Sequence, residues 1–275
     1  LGEDLRKFSN GIVMQQTLAN IERITSVNDS YQQVHLAAPQ FTAEIKPGHS
    51  LLVRLDDTWD PYLRERWWPV ALRPQEIIIE RPAHIPYKIG QQLSLMGLVG
   101  QPLRFKRPLR NVLLMAYDTP PTPLLMSISW LLKEQVSVSL VLLGTARDYD
   151  CEHLPPELEV IQGSDPTSAD PLAIGWPKMV MTAGWADQIF VVTHTDNELG
   201  RMGRVFYALK NLRAEIPKFY LNGVFQGTVP CGVGACGACQ VLLFDHQPFV
   251  TCTDGPSLDL ATLPLPEPTW TPPPT

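Results

Sequence analysis

Four cysteines near the C-terminal end are the residues best equipped for chemistry: Cys231-Gly-Val-Gly-Ala-Cys236-Gly-Ala-Cys239, followed by Cys252. The C-x4-C-x2-C spacing with a fourth thiol further on is that of plant-type 2Fe-2S sites, where four thiolates hold two irons. Such a cluster carries net negative charge, so backbone N–H groups must point at its sulfurs, and that requires a tightly curled loop. Gly232, Gly234 and Gly237 can adopt the positive φ values this demands. No proline interrupts residues 232–238, so every amide there remains a donor. The loop reads as an anion cradle with four soft ligands, and Cys231, Cys236, Cys239 and Cys252 are the candidate metal ligands.

The competing chemistry for the same quartet is a structural zinc knuckle, since Zn²⁺ also takes four thiolates. Zinc ribbons usually pair two C-x2-C knuckles, whereas here a single C-x2-C is preceded by C-x4. His246 is available as a substitute ligand of the Rieske kind, but its plainer reading is a polar residue at a hairpin tip. His194 reads as the end of a strand, and Cys151 as an ordinary thiol. No nucleophile–base pair is visible, so no catalytic residue is assigned.

The elements that must position this loop fall into distinct rhythms along the chain. A hairpin, Gln240 to Phe244 and Phe249 to Cys252 around Asp245-His246-Gln247-Pro248, would return Cys252 to the other three thiols. Upstream, short strands at Asn20 to Val27, Gln33 to Leu36, Leu51 to Leu55, Trp68 to Leu72, Ile77 to Glu80 and Gln92 to Met96 predict a small antiparallel β-barrel. From about Arg110 strands alternate with helices. Strands are predicted at Asn111 to Ala116, Val136 to Leu143, Leu158 to Ile161, Gln188 to Thr193 and Lys218 to Leu221, and helices at Pro123 to Glu134 and Glu198 to Arg213. Alternation of this kind predicts a parallel, doubly wound sheet. The stretch 162–177 reads as loop. The division is therefore an N-terminal arm (1–15), a β-barrel (16–107), an α/β domain (108–223), a cluster module (224–262) and a Pro-rich extended tail (263–275).

Composition bounds the partners. The 275 residues carry 44% hydrophobic and 18% charged side chains and a net charge of −6, which argues against nucleic acid or an anionic membrane surface. The longest apolar runs, such as Val138 to Leu143, are far short of the roughly 20 residues a membrane span needs. Five cysteines with four in one constellation fit a reducing compartment better than a disulfide scaffold, so a cytoplasmic protein is expected.

Barrel, parallel α/β domain and C-terminal cysteine module in that order resemble the electron-transfer subunit of class B dihydroorotate dehydrogenases and related ferredoxin-reductase-like proteins. The resemblance rests on Cys231 to Cys239, on Cys252-Thr-Asp-Gly-Pro256, similar to the family's C-x-D-G-P, and on the Lys46-Pro-Gly-His49 turn. It implies a multidomain β and α/β architecture: FAD on the barrel, NAD at the α/β domain, and a 2Fe-2S cluster ligated by the same four cysteines. It also implies a hetero-oligomer with a partner flavoprotein or oxidoreductase subunit, to which the cluster passes electrons.

Two of the family's sites depart from its pattern. Where the family has R-P-x-S against the flavin, this chain has Trp68-Pro69-Val70-Ala71. A second register, R-x-Y-S, uses Arg66 as the phosphate contact and Trp68 as the stacking aromatic, with Pro69 in place of Ser. Arg66, Trp68 and Pro69 are accordingly the candidate flavin contacts, with packing as the plainer role for Trp67 and Trp68 and a solvated strand end for Arg64 and Arg66. The family's G-T-x-x-L-S segment corresponds to Ile79-Glu-Arg-Pro-Ala-His-Ile-Pro-Tyr87, with prolines in place of glycines, which leaves FAD retention open. The dinucleotide loop G-G-G-x-G is replaced by Leu114-Met-Ala-Tyr-Asp-Thr-Pro-Pro-Thr-Pro-Leu124, with Asp118 where a phosphate would lie. NAD is not expected. The expected function is an electron-transfer subunit; the alternatives are an iron–sulfur scaffold without nucleotides, or a zinc-stabilised interaction protein.

Overall fold

The computed structural model describes residues 14–55, 63–164, 174–213 and 215–268. The barrel strands are β1 (Gln15–Ser26), β2 (Tyr31–Ala37), β3 (Ser50–Leu55), β4 (Glu65–Trp67), β5 (Pro69–Arg73), β6 (Glu76–Pro82) and β7 (Gln92–Val99), with a one-turn helix α1 (Pro39–Thr42) between β2 and β3. Alternation directs Ala19 and Ile21 of β1 inward and their neighbours toward solvent, the period of a half-buried strand. All pairings are antiparallel. The order is β4-β3-β7-β1-β2-β6-β5. The two edge strands, β4 and β5, are separated in the chain by Trp68 alone, and one residue spans at most about 7 Å. The sheet must therefore curl until its edges meet. The reading of one strand from Trp68 to Leu72 is corrected here: Trp68 is the corner between two strands.

The second sheet contains β8 (Asn111–Tyr117), β9 (Ser137–Leu143), β10 (Glu159–Gln162), β11 (Gln188–Thr193), β12 (Leu221–Val224) and, from beyond the cysteines, an edge strand. Two short strands precede that edge, β13 (Gln240–Leu242) and β14 (Pro248–Val250), forming the expected hairpin; the edge itself is β15 (Ser257–Asp259). The order β10-β9-β8-β11-β12-β15 is parallel except at β15, which runs antiparallel to β12. The continuous apolar run of β8 is buried on both faces from Val112 to Tyr117, as expected for a central parallel strand. Strand order reverses between β8 and β11, which makes their carboxyl ends the topological switch point.

Helices α2 (Thr122–Lys133), α3 (Met179–Trp185) and α4 (Glu198–Lys210) cover the two faces of this sheet. Pro123 sits in the first turn of α2, where its missing N–H is not needed. Leu124, Leu125, Ile128 and Leu131 form the buried stripe of α2. That stripe shares one core with Trp68 and Val70 of the barrel and with Val112 and Leu114 of β8. Barrel and α/β domain thus share one apolar seam.

Two expectations are corrected at the C-terminal side. The strand predicted at Lys218 to Leu221 begins only at Leu221, because Phe219 takes φ 58° and its N–H is held by Asp259 Oδ2 at 2.7 Å. The start of the Pro-rich tail is packed: Leu263 and Leu265 are buried in the α4 core, and a Cβ at Gly203 would lie 2.7 Å from the Pro266 carbonyl oxygen. Apolar side chains between prolines hold this segment down. The arm over residues 1–13 and residues 269–275 lie outside the described residues. Among the described residues no helix is long and apolar enough to cross a membrane.

Candidate metal centre

The cysteine loop has the backbone its composition predicts. Gly232, Gly234 and Gly237 have φ values of 71°, 75° and 68°, a region that costs other L-residues about 1–2 kcal/mol. Gly232 has a second reason to lack a side chain, since a Cβ there would come within 2.7 Å of Met14 Cε and 3.1 Å of Leu52 Cδ1.

The curl turns amides toward sulfur. Burial acts to raise the Cys231 thiol, but hydrogen bonds from the backbone of Val233, Cys236 and Ala235 pull it down to about 7. The Gly234 N–H donates to Cys252 Sγ at 3.2 Å. Burial, followed by the adjoining Cys239 side chain, pushes the Cys252 thiol well up. Cys231 has Cys236 as a neighbour, and Cys252 has both Cys239 and Cys231. Among the described residues no three His, Cys, Asp or Glu side chains converge on one single-ion position.

The loop is graded from inside to outside. Cys239 and Cys252 are buried, Cys231 is half-buried and Cys236 is exposed. The inner pair packs against Leu52, Val99 and Val229, with Met14, Met96 and Val250 around them.

Cys252 owes its place to the hairpin and to the turn after it. The Thr251 N–H bonds the Cys239 carbonyl at 3.1 Å, and the Gly100 N–H bonds the Cys252 carbonyl at 2.9 Å. Asp254 Oδ2 accepts from the Val250 N–H at 2.9 Å, and a Cβ at Gly255 would meet the Thr251 carbonyl oxygen at 2.8 Å. Cys252-Thr-Asp-Gly-Pro256 is therefore a turn that aims a thiol. His246, exposed with φ 62° at the hairpin tip, has the hairpin-tip place its plainer reading gave it.

The candidate flavin contacts come together, inside the protein. Arg66 is half-buried. Its Nε donates to Ser50 Oγ at 2.8 Å, its Nη1 to the Phe225 carbonyl at 3.0 Å, and its guanidinium carbon lies 4.2 Å from the Trp68 ring centroid. Among the described residues its buried Nη2 has no hydrogen-bond partner. Trp68 and Pro69 are buried, Trp68 in the seam beside α2. Arg64 bonds the Ser94 carbonyl at 2.6 Å. Neither arginine is a solvated strand end.

At the switch point of the parallel sheet the structure refines the expectation for Asp118. This residue, at φ 55°, accepts from the Thr145 N–H at 3.1 Å and from Arg201 Nε at 2.6 Å. Arg201 also pairs with Asp196, which His194 Nδ1 approaches at 2.9 Å. Hydrogen bonds from His194 and Arg201 hold the Asp196 carboxyl down to about 2. Asp118 stands where the resemblance places a phosphate, and Arg201 from α4 compensates its charge.

Sequence reasoning missed Glu198. It begins α4 and reads as an ordinary acidic first-turn residue. Its Oε1 accepts the Gln226 N–H at 2.6 Å, and it also accepts from the Gly227 amide. Burial pushes its carboxyl up to about 7 against those bonds and the Arg66 charge. Glu198, Phe225 and Cys239 line a common cavity of 330 Å³.

Residues 227–263 match the family described as the iron-sulfur cluster binding domain of dihydroorotate dehydrogenase B. No curated protein matches the chain by sequence. Among solved structures, an NADH-dependent reduced ferredoxin-NADP oxidoreductase involved in flavin-based electron bifurcation aligns over 90% of this chain and 90% of its own, with TM-score 0.65 and 17% identity. An Amycolatopsis cytochrome P450 reductase aligns over 78% of this chain and 71% of its own, at TM-score 0.53 and 13% identity. Phthalate dioxygenase reductase aligns over 83% and 87%, at TM-score 0.52 and 10% identity. These likenesses show the fold. The chain shares the fold of these reductases, and its residues 227–263 match an iron–sulfur cluster binding domain of the dihydroorotate dehydrogenase B type.

Proposed function

We propose that this chain is an electron-transfer subunit in which Cys231, Cys236, Cys239 and Cys252 hold a 2Fe-2S cluster that relays electrons between a flavin and a partner oxidoreductase. The observation that carries this reading is the loop itself: the C-x4-C-x2-C spacing with Cys252 is carried on a turn curled by glycines at positive φ, and the Gly234 N–H donates to Cys252 Sγ. That spacing is the one in which four thiolates hold two irons. When bound, the cluster supplies one-electron storage. The chain's own residues exclude water from the inner pair through Leu52, Val99 and Val229, leave the Cys236 edge open to a partner, and aim amide dipoles at sulfur. Such contacts are how a protein sets position and potential. The thiol set suits a reducing compartment, to which we assign the chain.

A second reading is favoured by specific contacts. The Trp68 and Val70 side of the barrel packs directly on α2, and the switch point is filled by the Arg201 ion pairs. On that reading the barrel and α/β domain are a docking scaffold without FAD or NAD, and a partner's flavin serves the cluster. Iron, sulfide, zinc and flavin analysis of anaerobically purified protein tests both. Two irons and two sulfides with FAD support the relay with its own flavin; the same without FAD supports the scaffold. Zinc alone overturns both.

A further inference from the structure

Arg66 is half-buried with its Nη2 turned into the interior, and its surroundings lead to the cysteines. Across the β3–β4 ladder Arg66 pairs with Leu52, and Leu52 packs with the inner cysteines, Cys239 and Cys252. Its acceptor Ser50 pairs with Val99 of β7, which lies in the same cluster of side chains. Its other acceptor, the Phe225 carbonyl, follows β12 just before the chain enters the cysteine loop, and the Phe225 N–H is bonded to the Pro256 carbonyl at 3.0 Å. Arg66 therefore shares the face of the β3–β4 ladder on which Leu52 packs against the inner thiol pair. Burial pulls it down to about 10, and Glu198, Cys239 and Cys252 act in the opposite direction, so it keeps its charge at neutral pH. Among the described residues no carboxylate bonds it and its Nη2 has no hydrogen-bond partner.

Resting on the cluster reading above, we infer that Arg66 is a potential-setting residue: its positive charge, held in place by Ser50 and the Phe225 carbonyl, stabilises the reduced cluster. One electron enters from a reduced flavin of the chain or its partner, no bond is made or broken, and the cluster gains one unit of negative charge. A nearby cation in a low-dielectric interior favours that state over the oxidised one. Glu198, fixed on the amides of Gln226 and Gly227, works against it when ionised. The residue that a sequence comparison assigns to a flavin phosphate would here serve the cluster.

The test is an anaerobic potentiometric titration with dithionite and mediators, followed by electron paramagnetic resonance at pH 8, on full-length protein whose iron and sulfide have been counted. Arg66→Gln is expected to shift the reduction equilibrium about tenfold against the reduced form, a fall of about 59 mV for a one-electron couple. Arg66→Lys, which keeps the charge, should restore most of the difference, and Glu198→Gln should move the potential upward. An Arg66→Gln protein with full iron and an unmoved potential overturns the inference and leaves the cluster reading standing. If Arg66→Gln does not fold, Glu198→Gln and Arg66→Lys decide: a rise in the first with little change in the second supports it, and no rise in the first overturns it. Absence of iron and sulfide from the parent protein sinks the cluster reading itself, and this inference with it.

Discussion

The cysteine loop and the switch point of the parallel sheet are both places where this fold can present backbone to an anion, and they are built in opposite ways. In the loop, glycines at positive φ turn amides onto sulfur, and side chains such as Met14 and Leu52 pack against Gly232 where a Cβ would stand. At the switch point, Asp118 follows β8 where a phosphate-binding turn would be glycine-rich, and Arg201 closes over it. Donors that a ligand could have used are already spent there: the Thr145 N–H bonds Asp118, and Arg201 bonds two carboxylates. An anion site is an arrangement of unspent donors, and topology alone does not supply it.

The sharpest way to break this contrast is to remove a ligand. Cys236→Ser or Cys252→Ser should abolish most visible absorbance and bound iron, and Arg201→Met should leave both unchanged. A Cys252→Ser protein with its full iron content would remove the basis for the four-thiol assignment. Next in size is a pH effect at the joint between α4 and the loop. The Glu198 carboxyl is pushed up to about 7 from an ordinary value of 4.5, so between these limits the folded state holds a proton that the unfolded state has released. Stability should fall as pH rises from about 4.5 to 7, by up to about 3 kcal/mol. Urea unfolding across that range should show the slope, and Glu198→Gln should flatten it. Smaller still is the cost of opening the switch point. Arg201→Met leaves the partly buried Asp118 without its cation and should cost about 2 kcal/mol in urea unfolding. The double variant with Asp118→Asn should recover part of that loss.

What was legible in the sequence follows from how local each feature is. The cysteine loop is written in adjacent residues, because curl, donors and ligands all come from 231–239, and Asp254 and Gly255 sit beside the thiol they aim. The β8, β9 and β11 runs are legible because strands buried on both faces need uninterrupted apolar sequence. Arg66 and Glu198 are not legible: the first is a strand residue among arginines, the second an acid at a helix start. Their burial arises only when β4, β12 and α4 meet at residues 225–227. Trp68 misleads for a related reason, since its corner exists only because the barrel closes there. Leu263 and Leu265 disappear among prolines whose composition speaks for an extended chain, although α4 offers them a groove at Gly203.

On the proposed function these four thiols hold a two-iron cluster able to accept one electron. Spin quantitation by electron paramagnetic resonance, on anaerobically purified protein before and after dithionite, decides this. A silent oxidised protein and close to one unpaired electron per chain after reduction are expected, the signal being lost in Cys252→Ser. A chain that contains zinc and stays silent after reduction would contradict it.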